Sequence, residues 1–312
     1  MKLSFVIPCY GSEKTIEAVV DEIVRTVAER PEVDYEIVPV NDCSPDNVWQ
    51  VMEALHARNA KVKPVALAKN MNRPGAVMAG LTVAEGDVAV ILDDDGQCPV
   101  DHLWDLLAPL DGDYDVSMAK YPERKQSLFK DFGTQVNRIM TNVVLRRPNG
   151  LEFTNFMAMK RYIVDEILKY PNSYPYMTGL LLRTTKYLTN VEMEERNRFS
   201  GKSNFTFVKM LELWMNGLTA FSVVPLRIAT FAGIACSILG FFMTLWVVVN
   251  KLVNPGVPIG YSSVMAALFF IGGMIMMMLG VIGEYIGRTY ISINKSPQFV
   301  IRRHLGGGGS EK

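Results

Sequence analysis

Three consecutive aspartates, Asp93-Asp94-Asp95, follow the apolar run Val88-Ala89-Val90-Ile91-Leu92. Adjacent carboxylates repel one another, and keeping them ionised is costly unless a cation offsets the charge. Hard oxygen donors of this kind suit Mg2+ or Mn2+, which commonly bridge protein carboxylates to substrate phosphates. Read alone, the triplet fits a solvated acidic turn equally well. Its place after a buried run, with Asp42 closing the apolar run Tyr35–Val40, favours a site for a cation and a phosphate. The common phosphate cradles are missing. No Gly-x-Gly-x-x-Gly follows the first apolar run, and no Gly-x-x-x-x-Gly-Lys-Ser/Thr occurs in the chain.

A second concentration of chemistry is basic. Between positions 120 and 147, Lys120, Arg124, Lys125, Lys130, Arg138, Arg146 and Arg147 stand against only Glu123 and Asp131. Residues 1–225 as a whole hold 25 basic and 30 acidic side chains. A solvated basic helix has the same composition. Beside a surface of anionic head groups, the stretch fits a loop that recruits a phospholipid, with Arg124 and Lys130 its leading residues. His56, His102 and His304 are scattered and read as ordinary packing or surface residues, and Asp113 and Asp115 read as a turn. Cys9, Cys43, Cys98 and Cys236 have no Cys-x-x-Cys spacing and fit a reducing compartment.

The elements that must position these residues alternate. Leu3–Pro8, Tyr35–Val40, Val62–Ala66 and Val88–Leu92 read as strands. Ser12–Arg30, with Ser12 as the expected N-cap, reads as a helix, as do Val48–Asn59 and Ala76–Ala84. Such alternation predicts an α/β domain, a mostly parallel sheet with helices on both faces. Ligands of these sheets bind beyond the carboxyl ends of the strands. Pro8-Cys9-Tyr10, Asn41-Asp42 and Asp93-Asp94-Asp95 all fall at such ends.

Composition then divides the chain. The 312 residues carry 32 basic and 32 acidic side chains, yet residues 226–312 hold only 7 and 2. At 49% hydrophobic, the chain is too apolar for intrinsic disorder. Ile228–Asn250 is free of charge, and its 23 residues make a helix of roughly 34 Å, enough for a hydrocarbon core of about 30 Å. A turn over Asn254–Gly260 separates it from a second uncharged run, Ser262–Ile282. Two buried helices of a soluble core are the other reading, but the runs exceed what such a core requires. Lys202, Lys209 and Arg227 precede the pair, and Arg288, Lys295, Arg302 and Arg303 follow it, while the connection carries only Lys251. The positive-inside bias therefore predicts two spans of an inner membrane, with both flanks cytoplasmic. Met1-Lys2 leads straight into a strand, so no signal peptide is expected. The expected divisions are a catalytic domain over 1–203, a juxtamembrane amphipathic helix over 204–225, two spans over 226–287 and a tail over 288–312. The juxtamembrane segment also fits a domain-core helix. Gly306–Ser310 reads as a flexible linker without function.

The motifs, in order, carry a resemblance. Val6-Ile7-Pro8-Cys9-Tyr10, Val40-Asn41-Asp42-Cys43-Ser44, Asn70-Met71-Asn72-Arg73-Pro74-Gly75-Ala76 and Asp93-Asp94-Asp95-Gly96-Gln97 resemble the successive motifs of family 2 glycosyltransferases with a GT-A fold. Arg198-Phe199-Ser200-Gly201-Lys202-Ser203, ahead of the first span, is similar to the branch that acts on polyprenyl phosphates. Gly283-Glu284-Tyr285-Ile286-Gly287-Arg288 is similar to its two-span bacterial members. Departures are Gly11-Ser12-Glu13 for the usual Asn-Glu-Glu, Cys43 for Gly, Cys98-Pro99-Val100 for a polar residue and Pro-Pro, and Thr154-Asn155-Phe156 for Ser-Gly-Phe.

The resemblance implies an inverting transfer of a sugar from a nucleotide-diphosphate donor to a polyprenyl (undecaprenyl) phosphate at the bilayer. Pro8, Tyr10 and Glu13 would line the nucleotide pocket, Asp42 would read base or ribose, Asp93 would sit near the ribose or sugar, and Asp94 would belong to the donor site. Asp95 and Gln97 would ligate Mg2+ or Mn2+. Arg198 and Ser203 would hold the acceptor phosphate, joined by Arg124 and Lys130, and Asp93, Asp95 and Arg198 would carry the catalysis. Arginine suits that task because its planar fork matches a phosphate. The resemblance also implies a homo-oligomer, a tetramer being one form, and no nucleic-acid partner. A membrane-anchored nucleotide-sugar binder without transferase activity is the alternative. A processive polysaccharide synthase would carry Gln-x-x-Arg-Trp and more spans, and neither occurs.

Overall fold

The computed structural model describes residues 1–122, 150–170, 175–194, 196, 224–253, 260–293 and 297–306. Its central strand, β1 (Lys2–Cys9), is buried from Leu3 to Cys9, as its nearly unbroken apolar character demands. β2 (Asp34–Asn41) and β4 (Val88–Ile91) flank it in parallel, and β3 (Val65–Leu67) continues beyond β2. β5 (Val116–Lys120), β6 (Met157–Lys160), β7 (Leu188–Glu192) and β8 (Ile301–His304) complete an eight-stranded sheet of order β7-β5-β6-β4-β1-β2-β3-β8. β6 and β8 run against their neighbours, so the sheet is mixed but mostly parallel.

Helices α1 (Ile16–Val27), α2 (Val48–Arg58), α3 (Asn72–Val83), α4 (Leu103–Leu107), α5 (Arg161–Leu168) and α6 (Met177–Thr184) accompany the sheet. On α1, Ile16, Val19, Val20, Ile23 and Val27 recur at helical spacing and pack with Phe5, Ile7, Ile37 and Val90. The alternate residues Val38 and Val40 enter a second cluster with Val65, Leu67, Ala76 and Ala79. Period-two alternation thus feeds a core on each face. Gly80 sets how close α3 comes, since a Cβ there would lie 2.4 Å from Val6 Cγ1 and 3.0 Å from Val40 Cγ2.

Three boundaries differ from expectation. Ser12 does not cap α1. The cap position is Thr15, and the Ser12 carbonyl accepts the Thr15 and Ile16 amides at 3.0 and 3.1 Å. Gly11, at φ +75°, begins a turn that occupies the first expected helical residues. α3 begins at Asn72 rather than Ala76, because Pro74 falls in its first turn, where a missing N–H leaves no bond unmade. The third strand also lies later, Val65–Leu67, with Val62 making only an isolated bridge to Ile37.

The sheet edge beyond β3 is closed from far along the chain. β8 pairs antiparallel with β3, placing His304 opposite Val65 and Arg303 opposite Ala66. Ala68 N–H donates to the Val300 carbonyl at 2.9 Å, and Leu305 N–H to the Pro64 carbonyl at 3.0 Å. Phe299 and Ile301 pack on the Val65 and Leu67 cluster.

A separate unit contains α7 (Val224–Val253) and α8 (Tyr261–Ile293). Phe270–Gly287 of α8, with a mean hydropathy of 1.6, is long and apolar enough to cross a membrane. Among the described residues, α7 contributes the shorter apolar segment Gly233–Phe242. The two helices touch where Gly233 faces Met278: a Cβ there would meet the Met278 methyl at 2.8 Å. The expected juxtamembrane helix lies outside the described residues.

Candidate active site

The carboxyl ends of β1, β2, β3 and β4 lie side by side, and each is followed by a polar loop. After β1 and β2 the loops are bonded to one another. Gly11 N–H donates to Ser44 Oγ at 2.8 Å and Glu13 N–H to Asp46 Oδ2 at 2.9 Å, while the Glu13 carboxylate accepts Asn47 N–H at 3.3 Å. Ser44 Oγ in turn donates to Asp46 Oδ1 at 2.6 Å. Glu13 therefore braces the second loop. Pro8 is a buried residue within β1, and Tyr10 is 56% exposed at the rim. Cys43 holds φ at 54°, the left-handed region that glycine tolerates best, which explains the preference of the resembling motif for Gly there.

Asp42 is buried at the floor of the crevice, 3% exposed, and accepts the Met71 amide at 2.6 Å. Burial pushes its carboxyl up to about 6, against the pull of that hydrogen bond. A carboxylate held in this way is ready to accept hydroxyl or base N–H donors, which would restore what desolvation took.

The three consecutive acids do not converge on one point. Asp93 is clamped. Arg73 Nε donates to its Oδ1 at 2.7 Å and Asn155 Nδ2 to its Oδ2 at 2.5 Å, and Arg73 also reaches the Asn155 carbonyl at 3.4 Å. Asp94 turns back to accept Tyr10 N–H at 3.2 Å. Burial, reinforced by the charges of Asp93 and Asp95, pushes its carboxyl up to about 6. Asp95 faces its own turn and accepts Gln97 N–H at 3.1 Å, a turn for which Gly96 supplies φ +77°.

Among the described residues, no three His, Cys, Asp or Glu side chains form a metal cage. Mg2+ or Mn2+ at a diphosphate does not need such a cage. Such ions take one or two protein ligands and complete their shell with phosphate oxygens and water. Asp95 with the amide oxygen of Gln97 is a donor set of that kind.

Gln97 is tied to the chain beyond β7. Arg196 N–H donates to the Gln97 carbonyl at 3.2 Å, and Gln97 Nε2 donates to the Arg196 carbonyl at 3.5 Å. The Arg196 guanidinium is shared between Glu22 of α1 and Asp101, the latter at 2.6 Å.

Residues 4–168 match the model described as "Glycosyl transferase family 2". The chain belongs to glycosyl transferase family 2. Residues 224–289 match a second model, "GtrB C-terminal hairpin", which covers α7 and most of α8. This glycosyltransferase is 30% identical over 309 residues to the prophage bactoprenol glucosyl transferase homolog of Escherichia coli K12, covering 97% of this chain and 99% of that one. It is 27% identical to the undecaprenyl-phosphate 4-deoxy-4-formamido-L-arabinose transferase of Proteus mirabilis, covering 98% and 94%. A Mycobacterium tuberculosis glucosyl-3-phosphoglycerate synthase structure, in complex with Mn2+ and UDP-glucose, is 18% identical with a TM-score of 0.46, over 70% of this chain and 77% of that one. The unit of this glycosyltransferase that carries the sheet has the mixed, mostly parallel GT-A α/β fold.

The structure brings Pro8, Tyr10, Glu13, Asp42, Asp93, Asp94, Asp95 and Gln97 to one end of the sheet. Arg124, Lys130, Arg198 and Ser203 lie outside the described residues. Arg73 stands in the third motif and Asn155 in a departure from the family pattern, but their shared grip on Asp93 has no signal in local sequence. Of the histidines, His56 Nδ1 lies 2.6 Å from the Val62 carbonyl, His102 Nδ1 lies 2.9 Å from Asp105, and His304 stands in β8 away from the acid loop in the strand order. Asp115 is buried at the base of β5, bonded to Thr185 Oγ1 at 2.7 Å.

Asp42→Asn is expected to stabilise this glycosyltransferase while weakening donor binding. The folded carboxyl titrates above its ordinary 3.8, so its stability contribution is complete below that value and is lost as pH rises through about 6. The amide keeps an acceptor for Met71 N–H but never ionises. Thermal unfolding at pH 7.5 should show a midpoint roughly 3 °C or more above wild type, with the gain vanishing at pH 4. Donor affinity, measured by calorimetry, should fall about tenfold. Equal midpoints at both pH values would refute the buried-charge account.

Proposed function

We propose that this glycosyltransferase moves a sugar from a nucleotide-diphosphate donor to undecaprenyl phosphate or a similar polyprenyl phosphate, inverting the anomeric carbon. The observation that carries this reading is a likeness to bactoprenol and undecaprenyl-phosphate transferases that spans catalytic unit and hairpin together. Asp42 and the β1 loop hold the nucleoside, and Asp93, fixed by Arg73 and Asn155, orients the ribose and sugar. Both oxygens of Asp93 are engaged, so it serves to position rather than to abstract a proton. No strong base is required, because the acceptor phosphate is already an anion at neutral pH. Its oxygen bonds to the anomeric carbon as the bond from that carbon to the diphosphate oxygen breaks, and a nucleoside diphosphate leaves. Asp95 and Gln97 would hold Mg2+ or Mn2+, which when bound would offset the charge developing on the leaving diphosphate. Arg198 and Ser203, with Arg124 and Lys130, grip the acceptor phosphate.

α7 and α8 form two spans, and chain connectivity supports a common side for both flanks. The polypeptide leaves the catalytic unit before α7 and rejoins its sheet as β8, so it crosses a bilayer an even number of times. The basic flanks put that side in the cytoplasm. The boundaries expected at 203, 225 and 287 and a homo-oligomer belong to the same reading. The test is transfer itself. Purified protein, Mn2+, undecaprenyl phosphate and a panel of radiolabelled nucleotide sugars should yield labelled lipid with one donor. Donor binding without labelled lipid would leave a binding protein instead.

A further inference from the structure

Sheet register delivers Asn155 to the acid loop. β4 and β6 pair antiparallel with Ile91 opposite Met157. Two residues further along both chains, the same register sets Asp93 opposite Asn155. Facing residues of such a pair hold their Cβ atoms about 4.5 to 5.5 Å apart, and here the Asn155 side-chain amide donates to Asp93 Oδ2 at 2.5 Å. The residues on either side are fixed. Thr154 Oγ1 donates to the Ala119 carbonyl at 2.7 Å, and Phe156 is buried in the main core. The pair is open to a ligand, since Asn155 is exposed and the Asp93 side chain is 23% exposed. An asparagine amide has two N–H donors and a carbonyl, and one N–H goes to Asp93. Positive φ among the described non-glycine residues is confined to Cys43 and Asn72, so position 155 carries a side chain without that strain. Glycine, the frequent residue of the resembling motif, would leave the space empty and Asp93 Oδ2 without this partner.

We propose that Asn155 selects the donor sugar: its amide fills the space beside Asp93 and bonds a sugar hydroxyl, so the site takes a hexose and turns away an N-acetylhexosamine. This selection rests on the donor reading of Asp93 given above. Two effects act together. An acetyl group makes the sugar bulkier where a hydroxyl is compact, and it would have to displace an amide that Asp93 holds in place. Displacement would also leave Asp93 Oδ2 without its N–H, a charge-assisted hydrogen bond that the site then lacks. The contact is made by the side chain itself, so a change of side chain at 155 removes it directly.

Competition between radiolabelled UDP-glucose and UDP-N-acetylglucosamine tests the proposal, with the full-length protein in detergent, Mn2+ and undecaprenyl phosphate. Wild type should label lipid from UDP-glucose in preference. Asn155→Gly should raise kcat/KM for the acetylated donor relative to UDP-glucose about tenfold or more, and Asn155→Ala should fall between. The Kd for UDP, measured by calorimetry, should stay within about twofold of wild type in both. An unchanged ratio in Asn155→Gly, with both donors slowed alike, would reduce Asn155 to a brace for Asp93 and overturn the selection. A wild type that prefers the acetylated donor would overturn it too, as would one that labels lipid only from some other nucleotide sugar; in all three cases the function would stand. No labelled lipid from any nucleotide sugar would overturn the function, and the selection with it.

Discussion

Asp95→Ala is expected to slow sugar transfer about a thousandfold at saturating Mn2+, with donor and acceptor both saturating. Of the three adjacent acids, Asp93 is held by Arg73 and Asn155 and Asp94 accepts the Tyr10 amide, and the proposed function gives the divalent ion to Asp95. Asp95 also shapes its own turn through Gln97 N–H. Asp95→Asn separates the two jobs, since its amide oxygen can keep the turn bond while the negative charge is gone. Both variants should lose turnover alike, and Mn2+ titration of activity should shift to much higher concentration for any residual rate. Asparagine at near wild-type rate would mean that the turn, not the charge, matters, and that Mg2+ or Mn2+ is held elsewhere.

The second large effect is expected at Arg198. Arg198→Ala should raise the acceptor KM about a hundredfold, the usual scale for removing one partner of a desolvated charge pair, with donor affinity unchanged. Arg198→Lys should recover only part of it, because a point charge cannot reproduce two parallel hydrogen bonds to one phosphate. Kinetics with varied undecaprenyl phosphate, beside donor calorimetry, distinguish the roles. A fall in donor affinity with normal acceptor KM would move Arg198 to the donor side.

Arg196 and Arg198 illustrate how differently two nearby arginines enter the account. Arg198 enters only through the motif that resembles the family pattern, and it lies outside the described residues. Arg196 acquires meaning only through Gln97, Glu22 and Asp101, which lie about a hundred residues or more away along the chain. The same holds for Asp93, whose partner Asn155 lies 62 positions away.

What the amino-acid order determined by itself was everything with a short period. β1 to β4 declared themselves by apolar runs, α1 by its 3.6-residue repeat, the acid loop by its place after β4, and the hairpin by uncharged length, because each depends on neighbours within a few residues, whereas β5 to β8 went unread. Tertiary structure alone decided the rest. Adjacent Asp93, Asp94 and Asp95 look like one cluster on paper, but in the fold each turns to a different partner. β8 pairs with β3 across more than two hundred residues, although its four residues include two exposed arginines and no apolar pattern. Partners that meet only when a sheet closes leave no trace in local spacing, since the energy that selects them is paid out only on folding.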